Sequence, residues 1–223
     1  MDTIKPTLGY WKIRGLAAQI RYILHYANVD FTDCQYEQGD APDFSRESWF
    51  SVKSTLGLDF PNLPYWIDSD VKLTETSAIT KYVCKKYCPE LLPQTDAELG
   101  AVEMCGNIVN ELKWAAVMPQ YQQEDRAVAY NAAKPKLDLL AAYLAKGNEW
   151  LGSKNKNYVD FFFFENLESL DMVTEGALWV DYPVFKTYRE RFMADEKFAA
   201  IYADDSKSMK KPFNNKVAKI NNL

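Results

Sequence analysis

The chain is short of the side chains on which most enzyme chemistry depends. It has one histidine in 223 residues. That residue, His25, falls inside a helical pattern and reads as packing or surface. A Ser-His-Asp or Cys-His arrangement would have to use it, and no nucleophile is marked beside it. The nine glycines are scattered, with none at the spacing of a dinucleotide or nucleotide loop. The four cysteines (Cys34, Cys84, Cys88, Cys105) do not make a disulfide framework in a chain of this size. They read as reduced thiols, which points to the cytoplasm. Cys84 and Cys88 could share a helix face, but further ligands are lacking and no metal site is expected. No apolar run reaches the ~20 residues that span a bilayer, and the N-terminus does not read as a secretory signal, so no membrane insertion is expected. The net charge of −5 argues against nucleic acid as a partner, because neutralising phosphates takes clustered Lys and Arg. The segment from Lys207 to Lys219 is locally basic, but with Phe213 as its one aromatic it reads as a solvated tail.

What is present is the composition of a folded, globular protein: 48% hydrophobic and 26% charged residues. The length suits one large domain or two small ones. The first third alternates strand and helix signals. "TLGYW" (7–11) reads as a buried strand, 16–27 as a helix carrying Leu16, Ile20, Ile23, Leu24 and Ala27 on one stripe, and 29–37 as an alternating strand. Strands at 64–68 and 71–74 are joined by the turn Asp68-Ser69-Asp70, and 75–87 returns to helical period. This order predicts an α/β layer over residues 1–87. A proline-containing linker, 88–96, follows. From 97 to 223 strand signals fade and helices are expected at 97–119, 125–146, 157–173, 183–193 and 195–203. The third of these has a marked start: Asn157 as N-cap with Asp160 closing a capping box. Behind it runs "FFFFE" (161–165), apolar all round, which predicts the buried centre of an all-α half.

Three places in the first third could carry chemistry, each with a plain alternative. Tyr10 puts a phenol at the joint between a strand and a helix, where it is a functional group or a core tyrosine. "Glu75-Thr76-Ser77" puts N–H groups and a hydroxyl at a helix start, which is either a carboxylate site or an ordinary helix start. Arg46, Trp49 and Lys53 supply two cations and an indole N–H, for a second carboxylate or for a solvated loop. Asn62-Leu63-Pro64 precedes a strand, and a proline there is at home because it donates nothing to the sheet.

Taken together, "TLGYWKIRGLAAQIR", "QGDAPDFSRESW", "LGLDFPNLPYWID" and "KLTETSAI" resemble the cytosolic glutathione transferases, the mu class in particular. The resemblance covers most of residues 7–86, and the helical half is similar mainly in layout, around "NKNYVDFFFFE". It implies an α/β thioredoxin-like N-terminal domain (1–87), a linker (88–96) and an all-α helical-bundle C-terminal domain (97–223). It further implies a homodimer, a cis Leu63-Pro64 bond, and glutathione as co-substrate with no separate cofactor. The other substrates would be hydrophobic electrophilic small molecules. Tyr10 matches the catalytic tyrosine. Trp11, Arg46, Trp49 and Lys53 match residues that hold the glycine end of glutathione, Asn62 and Leu63 those at its cysteinyl backbone, and Glu75 and Thr76 those at its γ-glutamyl end. Tyr121 matches a tyrosine contacting the electrophile, and Phe60 an aromatic at the dimer interface. The family usually has Gln-Ser where this chain has Glu75-Thr76. The implied activity is conjugation of the glutathione thiolate to electrophiles. The alternative is a relative that keeps the fold as a ligand-binding or structural protein without turnover.

Overall fold

The computed structural model describes residues 5–222. The chain divides into two compact units. The first runs to Tyr87 and takes in Ile201–Val217 and the residues from Asn221, and the second runs Cys88–Ala200 and takes in Ala218–Ile220.

The first unit is built in the order β1 (Thr7–Trp11), α1 (Ala18–Tyr26), β2 (Thr32–Tyr36), α2 (Glu47–Phe50), β3 (Tyr65–Ile67), β4 (Lys72–Thr74) and α3 (Thr76–Tyr87). The sheet order is β2-β1-β3-β4. β1 and β2 are parallel, and β3 and β4 each pair antiparallel with their neighbour. A parallel pair needs a crossover, and α1 supplies it. This is the thioredoxin-like arrangement. The helices pack through Ile20, Ile23 and Leu24 of α1 and Ile79 and Val83 of α3, all without solvent exposure. The tight turn between β3 and β4 is organised by Asp68. Its carboxylate accepts the Asp70 and Val71 amides, the Trp66 indole N–H, the Tyr82 hydroxyl and the Lys86 ammonium. Burial alone would push this carboxyl up, but Lys86 and the other donors outweigh it and hold the group well below the usual carboxylate range.

The second unit contains α4 (Asp96–Gln122), α5 (Arg126–Leu144), α6 (Tyr158–Thr174), α7 (Ala177–Asp181) and α8 (Pro183–Met193), and α9 (Glu196–Ala203) begins in it. Helix α6 is its centre: Phe161, Phe163, Phe164, Leu167 and Leu170 are fully buried. The capping box at its start is formed as the sequence indicated. Asn157 accepts the Val159 amide while Asp160 accepts the amide of Asn157. Asp160 also accepts the Leu151 amide and the Tyr188 hydroxyl. Helix α4 runs past Pro119, where the sequence suggested an end, because the Gln123 amide still bonds the Pro119 carbonyl.

The segment 207–219 is not a solvated tail. A short helix, α10 (Asp205–Ser208), precedes it, and Phe213 and Asn214 are buried. The reason lies at the other end of the chain. The fully buried Arg14 guanidinium sits 4.2 Å from the centre of the Phe213 ring, and the lysines of the segment stay at the surface.

Candidate active site

The sheet brings the candidate residues of the first unit to one end. β1 ends at Tyr10 and Trp11 there, and β2 ends there at Tyr36, the partner of Trp11. β3 starts there, with Tyr65 opposite Gly9, so Leu63 precedes it at the same end. β4 finishes there, with Thr74 opposite Tyr65, and delivers Glu75 and the start of α3.

Tyr10 is 6% exposed. Its hydroxyl accepts the Leu16 amide at 3.0 Å. Leu16 stands just before α1, where backbone N–H groups have no intrahelical acceptor. A turn closed by the Ala17 amide on the Arg14 carbonyl precedes α1, which begins at Ala18 and not at Leu16 as the periodicity suggested. Gly15, with φ +46°, turns the chain so that the amide faces the phenol. A Cβ at Gly15 would lie 2.7 Å from the Tyr10 Oη and Cε1 atoms. Only glycine lets the backbone approach the ring this closely.

On the opposite face of the sheet, Gly9 makes room for the Tyr65 ring, which would stand 2.1 Å from a Cβ there. The Tyr65 hydroxyl bonds that of Tyr36 at 2.9 Å. Burial raises both phenols, Tyr36 to about 12. Trp49 stacks on Tyr65 and meets Tyr36 edge-on, which fixes α2 over this end. The Trp49 indole N–H has no hydrogen-bond partner among the described residues, although the ring is 4% exposed. Arg46 and Lys53 flank the Phe50 ring at 4.9 and 5.7 Å, and neither is in an ion pair among the described residues.

The Leu63-Pro64 bond is cis. The β1–β3 ladder stops at Gly9 and Tyr65, and the backbone of Leu63 has no hydrogen-bond partner among the described residues. Glu75 is held at φ +71°, an uncommon conformation for a residue with a side chain. The Asn62 amide donates to its carboxylate at 3.4 Å. α3 starts at Thr76, so Thr76 and Ser77 present N–H groups and hydroxyls beside Glu75.

The arrangement offers a phenol, an unpaired backbone at Leu63, a helix N-terminus and, beside an indole donor, two cations outside any ion pair among the described residues. It suits an extended peptide-like ligand with a carboxylate at each end. Residues 6–85 match the family model for the glutathione S-transferase N-terminal domain, and residues 111–205 match the C-terminal domain model. The chain belongs to the glutathione S-transferase family. It is 36% identical to glutathione S-transferase B of Cavia porcellus, over 97% of this chain and 99% of the relative. It is 34% identical to glutathione S-transferase Mu 1 of Bos taurus, over 95% and 96% respectively. Among solved structures, glutathione S-transferase Blo t 8 superposes with a TM-score of 0.81 at 28% identity, covering 97% of this chain and 100% of that one.

Two further residues named from the family resemblance stand elsewhere. Tyr121 belongs to the second unit, near the C-terminal end of α4, and is half-buried. Phe60 projects from the loop before β3 with 79% of its surface exposed. One feature escaped the sequence reading. A cavity of about 420 Å³ opens in the first unit between the segment after Trp11, the end of β2 and the C-terminal segment, lined by Ile13, Tyr36, Gln38, Met209, Pro212 and Asn215 among others. Its walls come from three distant stretches of sequence. Phe213, the one aromatic in a basic stretch, was the available sign that this stretch packs against something.

Proposed function

We propose that the chain is a glutathione S-transferase that joins the thiolate of glutathione to small carbon electrophiles, with Tyr10 as the residue acting on the sulfur. The observation that carries this reading is the Tyr10 hydroxyl, fixed by the Leu16 amide at the same end of the sheet as the unpaired backbone of Leu63. Glutathione lies extended along Leu63. Its glycine carboxylate meets Arg46, Trp49 and Lys53, with Trp11 alongside. Its γ-glutamyl end meets Thr76 and the start of α3, with Glu75 facing the ammonium. Asn62 holds Glu75 in place through their hydrogen bond.

A free thiol ionises near pKa ~8.5. A hydrogen bond to a charged group contributes ~1.5–3 kcal/mol, equivalent to one or two pKa units. A bond from the Tyr10 hydroxyl to the sulfur therefore brings the thiol to ionisation near neutrality. The thiol proton leaves to solvent and Tyr10 keeps its own. The sulfur lone pair then forms the C–S bond. In a substitution, the leaving group departs with its bonding pair. In an addition to an activated double bond, the displaced pair takes a proton from solvent. Ile13, Met209 and Pro212 of the cavity give the acceptor apolar contacts. The protein works in the cytoplasm as a homodimer in which Phe60 enters the partner subunit. No cofactor takes part.

The test is Tyr10→Phe, which removes one oxygen and keeps the ring. The ultraviolet absorbance of the bound thiolate is titrated in both proteins, and turnover is measured with a chloronitroaromatic acceptor. The expected result is normal glutathione binding, a titration midpoint displaced towards that of free thiol, and turnover much reduced at pH 7. An unchanged midpoint with unchanged turnover removes Tyr10 from the mechanism. Tight glutathione binding by the native chain without turnover on any acceptor makes it a binding protein.

A further inference from the structure

We propose that the C-terminal segment Lys211–Asn214, through Phe213, is a positioning element for Tyr10. The inference rests on the reading of Tyr10 as hydrogen-bond donor to the glutathione sulfur, and concerns what holds that phenol in register.

The phenol is located by two backbone features, the amide of Leu16 on its oxygen and the Cα of Gly15 against its ring edge. Both belong to the turn between β1 and α1. On one side that turn is anchored by the buried Arg21 guanidinium, which donates to the Ile13 carbonyl at 2.7 Å, and by the Lys12 amide, which donates to the Tyr36 carbonyl at 2.8 Å. The Ile13 amide reaches the Trp11 carbonyl, and the Ala17 and Ala18 amides reach the Arg14 carbonyl. The amides of Arg14 and Gly15 instead donate to the C-terminal segment, Arg14 to the Pro212 carbonyl at 2.8 Å and Gly15 to the Phe213 carbonyl at 3.1 Å. The Arg14 side chain runs the same way. Its guanidinium lies over the Phe213 ring at 4.2 Å and donates to the Tyr22 hydroxyl at 2.7 Å. Phe213 is itself tied, its amide donating to the Asn222 side chain at 2.9 Å. The chain of contacts is continuous: Phe213 to Arg14 and Gly15, Gly15 to the Tyr10 ring, Leu16 to the Tyr10 hydroxyl. All of it lies within the first unit.

The Leu16 bond also bears on reactivity. A phenol oxygen that accepts one hydrogen bond is polarised to donate its own proton more strongly. Loosening the turn therefore weakens the donor as well as misplacing it. Of the residues assigned to the two ends of glutathione, Trp11 touches this turn through its carbonyl, whereas Arg46, Trp49, Lys53, Glu75 and Thr76 make none of these contacts. Binding and thiol ionisation should therefore separate.

The experiment compares Phe213→Ala, Phe213→Leu, Tyr10→Phe and the Tyr10→Phe/Phe213→Ala double variant in the full-length chain. Glutathione affinity is read by calorimetry, the bound thiolate by its absorbance against pH, and kcat and KM across pH 6 to 9. For Phe213→Ala the expected result is an affinity within about twofold of native and a thiolate midpoint raised by about half to one unit. With a native midpoint near 7, that corresponds to a roughly twofold to fivefold lower kcat at pH 7, recovered as the pH rises. Phe213→Leu, which keeps a buried apolar side chain, moves the midpoint the same way by less, and it decides the matter if the alanine variant does not fold. In the Tyr10→Phe background, Phe213→Ala adds no further shift, because the two act through one hydroxyl. An unmoved midpoint in both Phe213 variants overturns the proposal and leaves the role of Tyr10 intact. So does an equal added shift in the double variant. A Tyr10→Phe protein whose midpoint does not move overturns the underlying reading instead.

Discussion

Replacing Asp160 by alanine should destabilise the helical unit far more than the loss of an ordinary helix cap. The carboxylate takes three hydrogen bonds: the Leu151 amide at 2.9 Å, the Asn157 amide at 2.7 Å and the Tyr188 hydroxyl at 2.6 Å. Asp160 is fully buried, and Tyr188 and Leu151 nearly so. A cap residue replaced by alanine typically costs ~0.5–2 kcal/mol. Here three donors would be left buried without an acceptor, and each such orphan costs ~1–3 kcal/mol. With partial relaxation, a loss of roughly 4–6 kcal/mol is expected, a large share of the ~5–15 kcal/mol by which domains are stable. The assay is urea unfolding followed by far-ultraviolet circular dichroism and by tryptophan fluorescence, since Trp150 packs edge-on against Tyr188. A loss below about 2 kcal/mol would refute the reasoning and reduce Asp160 to a simple cap. The pH dependence gives a second reading. Burial pushes the Asp160 carboxyl up to about 7, against the pull of Tyr188 and the two amides. The unfolded carboxyl ionises near ~3.9, so between those values the native state holds the extra proton. The stability from this group is complete below the unfolded value and is lost as the pH rises through 7, with a slope of at most ~1.4 kcal/mol per unit. Asp160→Asn keeps most of the shape and should remove that slope.

Phe60→Asp should shift the protein from dimer to monomer in sedimentation. Burying a Phe contributes ~1.5–3 kcal/mol, twice over in a symmetric pair, and a native chain already monomeric at micromolar concentration would refute this. Gly15→Ala places a methyl 2.7 Å from the Tyr10 oxygen. It should move the phenol, lower kcat at neutral pH and leave glutathione affinity within a few-fold, whereas a native pH–rate profile would show that the ring yields without consequence. Glu75→Gln should change glutathione affinity by less than tenfold in calorimetry, because the carboxylate attracts the ligand's ammonium and repels its neighbouring carboxylate; loss of all binding would make Glu75 an essential anchor.

The parts of the fold legible in the sequence are those with local periodicity. The buried run of 7–11, the alternating stretch 29–37, the stripe of 16–27 and the Asn157–Asp160 box each appear close to where they were read. Helix α7, five residues behind Gly176, is too short to show a period. The β1–α1 boundary moved because residues 14–17 close a turn through Gly15 before the helix starts, and the apolar spacing of 16–27 does not show it. The packing of 207–219 was hidden for a related reason. Its one aromatic is matched by an arginine near the opposite end of the chain, and no local pattern encodes that pairing. At the site, Tyr10, Trp49 and Thr76 were weak signals one by one. The sheet register that gathers them, with β3 and β4 delivering Leu63 and Thr76 to the end where β1 stops, is a tertiary fact that only the family resemblance anticipated.

The bonds from Arg14 and Gly15 to Pro212 and Phe213 also set an order of events during synthesis. Chains fold as they emerge, N-terminal parts first. Here the first unit cannot finish on schedule. The turn that carries its phenol waits, with the Arg14 guanidinium lacking the ring that covers it, until all of the helical unit has been made and residues 211–214 have left the ribosome. A chain interrupted anywhere before Pro212 would keep the sheet and its two packed helices but not the completed turn. The turn is thus closed late, after the whole helical unit has been made, and a truncated product would be able to fold its sheet without assembling the turn around the Tyr10 phenol.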